Sequence, residues 1–290
     1  MRYRSKTVNI LIAINVVVFG LLYLSQTTQF LSREFFSSLS LYHPRSDKFQ
    51  FFQLITHIFM HGSILHIGLN MFVLWMFGNM LEGVWGPKRF LIFYFITGLG
   101  AAGLHMGTTT IRLDNMQEEV QQYAENPGLE EFSEFKEEHI TPLLENMPPA
   151  MALQYEAYDS LQMKWQENPN APQAAEKSIA LVRSYYQEVV NRPTVGASGA
   201  IFGLLLAFGM FFPNMLILLF FFIPMKAKYF VIFIGLFELY RGVFGETTSI
   251  ANFAHLGGML FGYILLKIWG YSQGDVEKVL QEKNEDEEKQ

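Results

Sequence analysis

Hydrophobic residues run along this chain in long blocks rather than alternating with polar ones. Six stretches, residues 8–24, 64–81, 89–106, 198–212, 229–244 and 250–269, are apolar almost throughout. A bilayer core asks for about 20 apolar residues per helix, somewhat fewer where a helix sits short, so each stretch predicts a membrane span. A seventh run, residues 215–223, is about half that length. It is bracketed by Pro213-Asn214 and Pro224 and reads as a non-spanning connection at the interface.

Residues 107–192 break the pattern between the third and fourth spans. Helical segments are predicted at 111–124, 129–144, 150–166 and 172–190, separated by Asn126-Pro127-Gly128, Met147-Pro148-Pro149 and Asn168-Pro169-Asn170. Tyr155, Tyr158, Leu161 and Trp165 recur at spacings that give one apolar face, expected to pack the unit's own core. The fold class expected is an all-α polytopic membrane protein: a six-helix bundle with a soluble helical insertion between the third and fourth transmembrane helices.

Composition agrees, with 50% hydrophobic residues, 28 Phe and 17% charged residues. The absence of cysteine excludes disulfides, thiolate metal sites and a cysteine nucleophile. The insertion carries 15 acidic against 6 basic residues, a net charge of −9, so the chain total of −6 leaves +3 for the rest. Arg2, Arg4 and Lys6 precede the first span, Lys88 and Arg89 join the second and third, and Lys226 and Lys228 join the fourth and fifth. All three positions are therefore expected in the cytoplasm. No small-residue cleavage pattern follows the first span, only Ser25-Gln26-Thr27-Thr28, so it is expected to be retained.

The expected division is 1–106 for the first three transmembrane helices, 107–192 for the acidic insertion on the outer face, 193–271 for the last three helices, and 272–290 for a charged cytoplasmic tail. With six spans and a cytoplasmic N-terminus, His66, Ser198 and His255 share one depth in the outer half. Polar side chains at membrane depth are costly and tend to mark functional positions.

Ser198 stands in Gly196-Ala197-Ser198-Gly199-Ala200. A serine is a weak nucleophile until a base takes its proton, and His255 is the best-placed candidate. Gly199 and Gly203, like Gly258 and Gly262, are four apart, a spacing that lets two helices approach closely. His66 and Asn70 lie four apart on one helical face and can donate to a developing oxyanion, each such donor being worth roughly 3 kcal/mol. His57, His61 and His66 raise a rival reading as a metalloprotease. That reading lacks the glutamate which follows the first histidine in HExxH. His57 and His61 are expected in hydrogen-bonding roles near the membrane surface. Glu82 is expected to anchor the cytoplasmic end of its helix, and Glu238 to pair with Arg241 three residues on.

Together His57, His61, His66 and Asn70, then Gly78, Glu82 and Gly86, then Gly196-Ala197-Ser198-Gly199, and finally Ala254-His255 with Gly258 and Gly262 resemble the rhomboid family of intramembrane serine proteases. The resemblance implies a Ser198–His255 dyad with no third carboxylate and no metal or cofactor. It implies an oxyanion hole from the Ser198 backbone N–H, His66 and Asn70, and Phe202 packed on the His255 ring, with Gly196, Gly199, Gly258 and His61 in supporting places. Phe52-Gln53 stands where relatives often have Trp-Arg, which puts a first-loop contact in question. The implied partners are the lipid bilayer and a single-span transmembrane substrate, with no nucleic acid and with contacts from the insertion to substrate or partner. A bacterial plasma membrane is the expected location, with the site open to the extracytoplasmic side. The alternative function is a catalytically silent relative that binds membrane clients.

Overall fold

A computed structural model describes residues 5–27, 32–145, 147–219, 223–244 and 250–270, with single positions 274 and 281. Apart from those two positions the tail expected at 272–290 lies outside the described residues, as do Arg2 and Arg4.

Among the described residues, helices account for nearly all regular structure. They are α1 (Lys6–Thr27), α2 (Arg33–Ser38), α3 (Gln53–Thr56), α4 (Ile64–Val73), α5 (Asn79–Glu125), α6 (Leu129–His139), α7 (Thr141–Glu145), α8 (Pro149–Ala152), α9 (Glu156–Glu167), α10 (Pro172–Val190), α11 (Ser198–Phe211), α12 (Ala227–Phe244) and α13 (Ile250–Trp269). Three helical stretches, Lys6–Ser25, Ile64–Glu125 and Ala251–Trp269, are long and apolar enough to cross a membrane, and Ser198–Phe211 is shorter but equally apolar. Large side chains such as Ile10 and Val17 on α1 and Phe233, Leu236 and Phe244 on α12 face outward. An exposed apolar belt of this extent suits lipid as its solvent.

The stretch Ile64–Glu125 holds two of the predicted spans, and its break is at Gly86-Pro87. Gly86 takes φ +74 and ψ 170, a conformation open to glycine, and Pro87 restarts the helix with its fixed φ and missing N–H. No such break follows at Met106-Gly107, where the sequence reading placed the start of the insertion. The Thr108 hydroxyl donates to the carbonyls of Leu104 and His105, and that of Thr110 to Met106, so these threonines bond back onto the helix and α5 runs on to Glu125.

The connection expected at 215–223 enters a β-hairpin. Strand β1 (Leu216–Leu219) pairs antiparallel with β2 (Ile223–Lys226), with Leu216 opposite Lys226. Pro213-Asn214 ends α11, and the short apolar run then satisfies its backbone groups across two strands.

Two hydrophobic clusters divide the chain. One gathers α1, α4, α5, α11 and α13 around Leu74, Phe90, Phe93, Leu204 and Phe208. The other gathers the outer part of α5 with α6, α7, α9 and α10 around Leu113, Phe132, Ile140, Val182 and Tyr185. Tyr155, Tyr158, Leu161 and Trp165 all belong to this second core, each buried.

Helix α11 is the hub of the first cluster. Its Gly199, Ala200, Gly203, Leu204, Ala207 and Gly209 are all buried, wedged between α5 and α13. A Cβ added at Gly258 would fall 1.8 Å from the Gly199 carbonyl oxygen, and one at Gly203 would meet Thr97 at 2.7 Å. Backbone therefore lies directly against backbone at the α11–α13 crossing. Glu82, also buried, closes the far end: its carboxylate accepts the N–H groups of Thr7 (3.2 Å) and Val8 (3.0 Å) in the first turn of α1. A carboxylate there neutralises orphan donors and the positive end of the helix dipole.

Candidate active site

Three pieces of chain build the site: the first turn of α11, the N-terminal part of α13, and the loop from Leu39 to Ser63. Ser198 opens α11, preceded by an extended segment that the loop stitches in place. Leu41 and Thr194 exchange backbone hydrogen bonds of 2.9 and 2.7 Å, and the Gly196 N–H donates to the His57 carbonyl at 2.9 Å. Gly196 has φ +122, and a Cβ there would lie 2.8 Å from the His66 ring. Only glycine meets both demands, and it seats His66 directly beside the turn that presents Ser198.

The Ser198 hydroxyl lies 2.9 Å from Nε2 of His255, within hydrogen-bond reach. Phe202, one turn further along α11, stacks on that imidazole with ring centroids 4.1 Å apart and planes 3° from parallel. The ring is thus held by packing on its face and by Ser198 at its edge. Because Ser198 is the first residue of α11, its backbone N–H is among those without an intrahelical acceptor, which suits it to bind a developing negative charge.

The other candidates fall into distinct places. His66 and Asn70 share α4, with Asn70 buried and His66 half-buried against Gly196. His61 is buried and meets His66 edge to face at 5.0 Å. His57 donates from Nδ1 to the Gln53 carbonyl at 2.8 Å, and burial pushes its pKa down to about 4, so it is neutral at physiological pH. Its hydrogen bond is structural, tying the loop that holds Gly196.

Gln53 organises that loop. Fully buried, it accepts at Oε1 from the Tyr42 N–H (3.3 Å) and the Gln50 N–H (3.1 Å), and donates from Nε2 to the carbonyls of Ser38 (2.9 Å) and Lys48 (2.8 Å). The loop contact put in question by Phe52-Gln53 is supplied by Gln53 itself, with its amide fully engaged.

Glu238 departs from the sequence reading. Its carboxylate still feels the charge of Arg241, whose guanidinium sits over the Phe237 ring at 5.9 Å, but its direct contacts are with Asn252 and His255 on α13. Sequence spacing points only to partners on the same helix. This one lies across an interhelical contact, and no local periodicity signals it.

A small pocket of about 40 Å³ adjoins Ser198, with His57, Gly98, Gly196 and Ala254 on its walls. It shares His105, Thr194, Val195 and Ala251 with a cavity of about 380 Å³ that also reaches Val189 and Arg192 at the end of α10. His105 donates to or accepts from the Thr194 hydroxyl at 2.7 Å on the shared wall.

This arrangement can be set against known proteins. The chain is 34% identical over 58 residues to rhomboid-like protease 3 of Toxoplasma gondii, a match covering 20% of this chain and 22% of that protein. The chain therefore spans about a fifth of the length of this curated relative. The Rhomboid domain model matches residues 48–110 and 177–272, leaving 111–176 outside it. The matched stretches hold the first loop from residue 48 on, α4, the glycine-packed α11 and α13 and both Ser198 and His255, and with more than half of its length matched, this chain belongs to the rhomboid family.

Proposed function

We propose that this protein is an intramembrane serine endopeptidase that cuts single-span membrane proteins in or near their transmembrane segment. Membership of a family generally made of intramembrane serine proteases supports the class of reaction. The observation that carries the reading is the 2.9 Å approach of His255 Nε2 to the Ser198 hydroxyl, at a helix N-terminus and under a stacked Phe202.

In this reading His255 accepts the Ser198 proton at Nε2 as the serine oxygen attacks the scissile carbonyl. It then returns that proton to the leaving amine, and water completes hydrolysis by the same route. The Ser198 N–H, His66 and Asn70 stabilise the oxyanion. Six spans are proposed: α1, the two arms of Ile64–Glu125, α11, α12 and α13, with the N-terminus in the cytoplasm. Helix α11 has 14 residues, about 21 Å of rise, against a hydrocarbon core of about 30 Å. A helix that short, with its far end at one interface, supports a Ser198 recessed below the opposite one. The units proposed are 1–106, 107–192, 193–271 and 272–290, with the second on the outer face of a bacterial plasma membrane. Val189 and Arg192 on the cavity wall support contact between that unit and the outer part of a substrate.

The test is cleavage of a generic single-span substrate in liposomes by the parent, Ser198→Ala and His255→Ala. Cleavage by the parent alone, insensitive to chelator, is expected. Cleavage retained by Ser198→Ala, or chelator inhibition reversed by zinc, overturns the proposal. Binding of substrate by the parent without any cleavage favours the client-binding alternative.

A further inference from the structure

A carboxylate inside a membrane helix bundle is expensive and calls for a partner that repays it. Glu238 is such a group. It is buried on α12, and one of its oxygens, Oε2, meets two groups of α13: the Asn252 amide, which donates to it, and Nδ1 of His255 at 3.1 Å. Asn252 is neutral, and the only full positive charge acting on the carboxylate among the described residues is Arg241 further along α12, without a direct ion pair. His255 is the group beside it that can become positive.

The proton inventory of the imidazole sharpens the point. If Nε2 is to accept from the Ser198 hydroxyl, the single proton of the neutral ring resides on Nδ1, the nitrogen facing Glu238. In this conformation the Nδ1–H direction misses hydrogen-bond geometry with the carboxylate, and among the described residues Nδ1 has no other hydrogen-bond partner. Loose alignment is common in catalytic hydrogen bonds before the reacting complex forms.

We infer that Glu238 is a positioning residue that holds the Nδ1–H tautomer of His255 and stabilises the imidazolium formed when Ser198 gives up its proton, so that this enzyme works with three groups: Ser198, His255 and Glu238. This replaces the expectation of a dyad without a carboxylate, and it rests on the serine-protease reading. Glu238 acts through His255 and touches no reacting atom. Of the other charged or titratable groups nearby, Arg241 adds a positive charge from α12 while its guanidinium lies over Phe237, and His66 lies on the α4 side, beside Gly196.

The experiment compares parent, Glu238→Gln, Glu238→Asp and Ser198→Ala in the same liposomes, reading kcat and KM for one single-span substrate alongside thermal unfolding. Glu238→Gln keeps the shape and loses the charge, so kcat is expected to fall about 10- to 100-fold with KM within about twofold. Glu238→Asp keeps the charge but withdraws it by one methylene, and is expected to recover part of kcat. A Glu238→Gln enzyme that unfolds at lower temperature yet turns over at the parent rate overturns the inference and reduces Glu238 to a tie between α12 and α13. If Glu238→Gln does not fold, Glu238→Leu, which has neither charge nor polar atoms, overturns it equally by turning over at the parent rate. Cleavage by the parent that Ser198→Ala abolishes and Glu238→Gln leaves untouched removes this inference alone, whereas cleavage surviving in Ser198→Ala removes the serine-protease reading with it.

Discussion

The two hydrophobic clusters of this chain are built on different principles. Around the site, helices approach through glycines: Gly258 and Gly262 meet the backbone of Gly199 and Gly203, while Gly203 and Gly100 receive the side chains of Thr97 and Phe261. In the outer unit, helices are held apart by large rings. Phe132 stacks on Tyr158 at 6.0 Å, Phe135 meets Tyr185 edge to face at 5.7 Å, and the Tyr185 hydroxyl donates to the His139 carbonyl at 3.1 Å. Water drives the second arrangement, because burying aromatic surface removes it from solvent. In lipid that drive is absent, so close approach of small residues takes its place. The first scheme fixes atomic positions with little latitude, whereas the second tolerates relaxation.

The strongest way to break this contrast is Gly258→Ala. The added methyl has no room beside the Gly199 carbonyl, so α13 must shift from α11, and His255 rides on α13. Displacement by about 1 Å costs roughly 100-fold in rate. Turnover in liposomes should fall at least that far while the protein remains helical by circular dichroism. Turnover within a few-fold of the parent would mean that the crossing is looser than the backbone contact indicates.

Much of this was legible in the sequence because membrane physics writes itself in long words. Apolar blocks, small residues four apart and a lone serine and histidine announced the helices, their crossing and the two residues now found 2.9 Å apart. The helix over Pro172–Val190 was marked at both ends, by a proline at its start and by Asn191-Arg192-Pro193 after it. What escaped was relational. Thr108 and Thr110 looked like a loop but bond back onto their own helix. Glu238 looked paired along α12 but reaches across to α13. Gln53 was noticed only as a departure that put a loop contact in question, since a buried amide that serves four backbone groups is recognisable only once the loop is folded.

Gln53 offers the intermediate test. Gln53→Ala leaves the N–H groups of Tyr42 and Gln50 and the carbonyls of Ser38 and Lys48 without their partner. An unsatisfied buried polar group costs about 1–3 kcal/mol, and water entering the loop will recover part of the sum. The loop supports Gly196 through His57 and Leu41, so Ser198 loses its backing. A net loss of about 2 kcal/mol in stability is expected, together with roughly a tenfold fall in turnover. Gln53→Glu keeps the acceptor for Tyr42 and Gln50 but sets a second oxygen against the carbonyls of Ser38 and Lys48, so it should cost at least as much as Gln53→Ala. An unchanged melting temperature in Gln53→Ala would show that the loop is held by its apolar contacts alone.

The smallest effect on cleavage is expected from the largest local damage. Phe132 is completely buried in the outer core, stacked on Tyr158 and set against Tyr123 and Trp165. Phe132→Ala should cost the outer unit about 3–5 kcal/mol, because the cavity it leaves is lined by rings that cannot collapse into it. Limited proteolysis between residues 107 and 192 would report that loss. The site shares none of these partners, and sites without shared partners usually couple by no more than about 0.5 kcal/mol, so turnover of a substrate with a short outer segment should stay within about threefold. On the proposed contact of a long outer substrate segment with Val189 and Arg192, which line the cavity, the KM of such a substrate should rise several-fold while its kcat holds. If turnover of the short substrate collapses along with the outer core, then the two clusters fold as one, and the aromatic core belongs to the machinery that holds Ser198 in place.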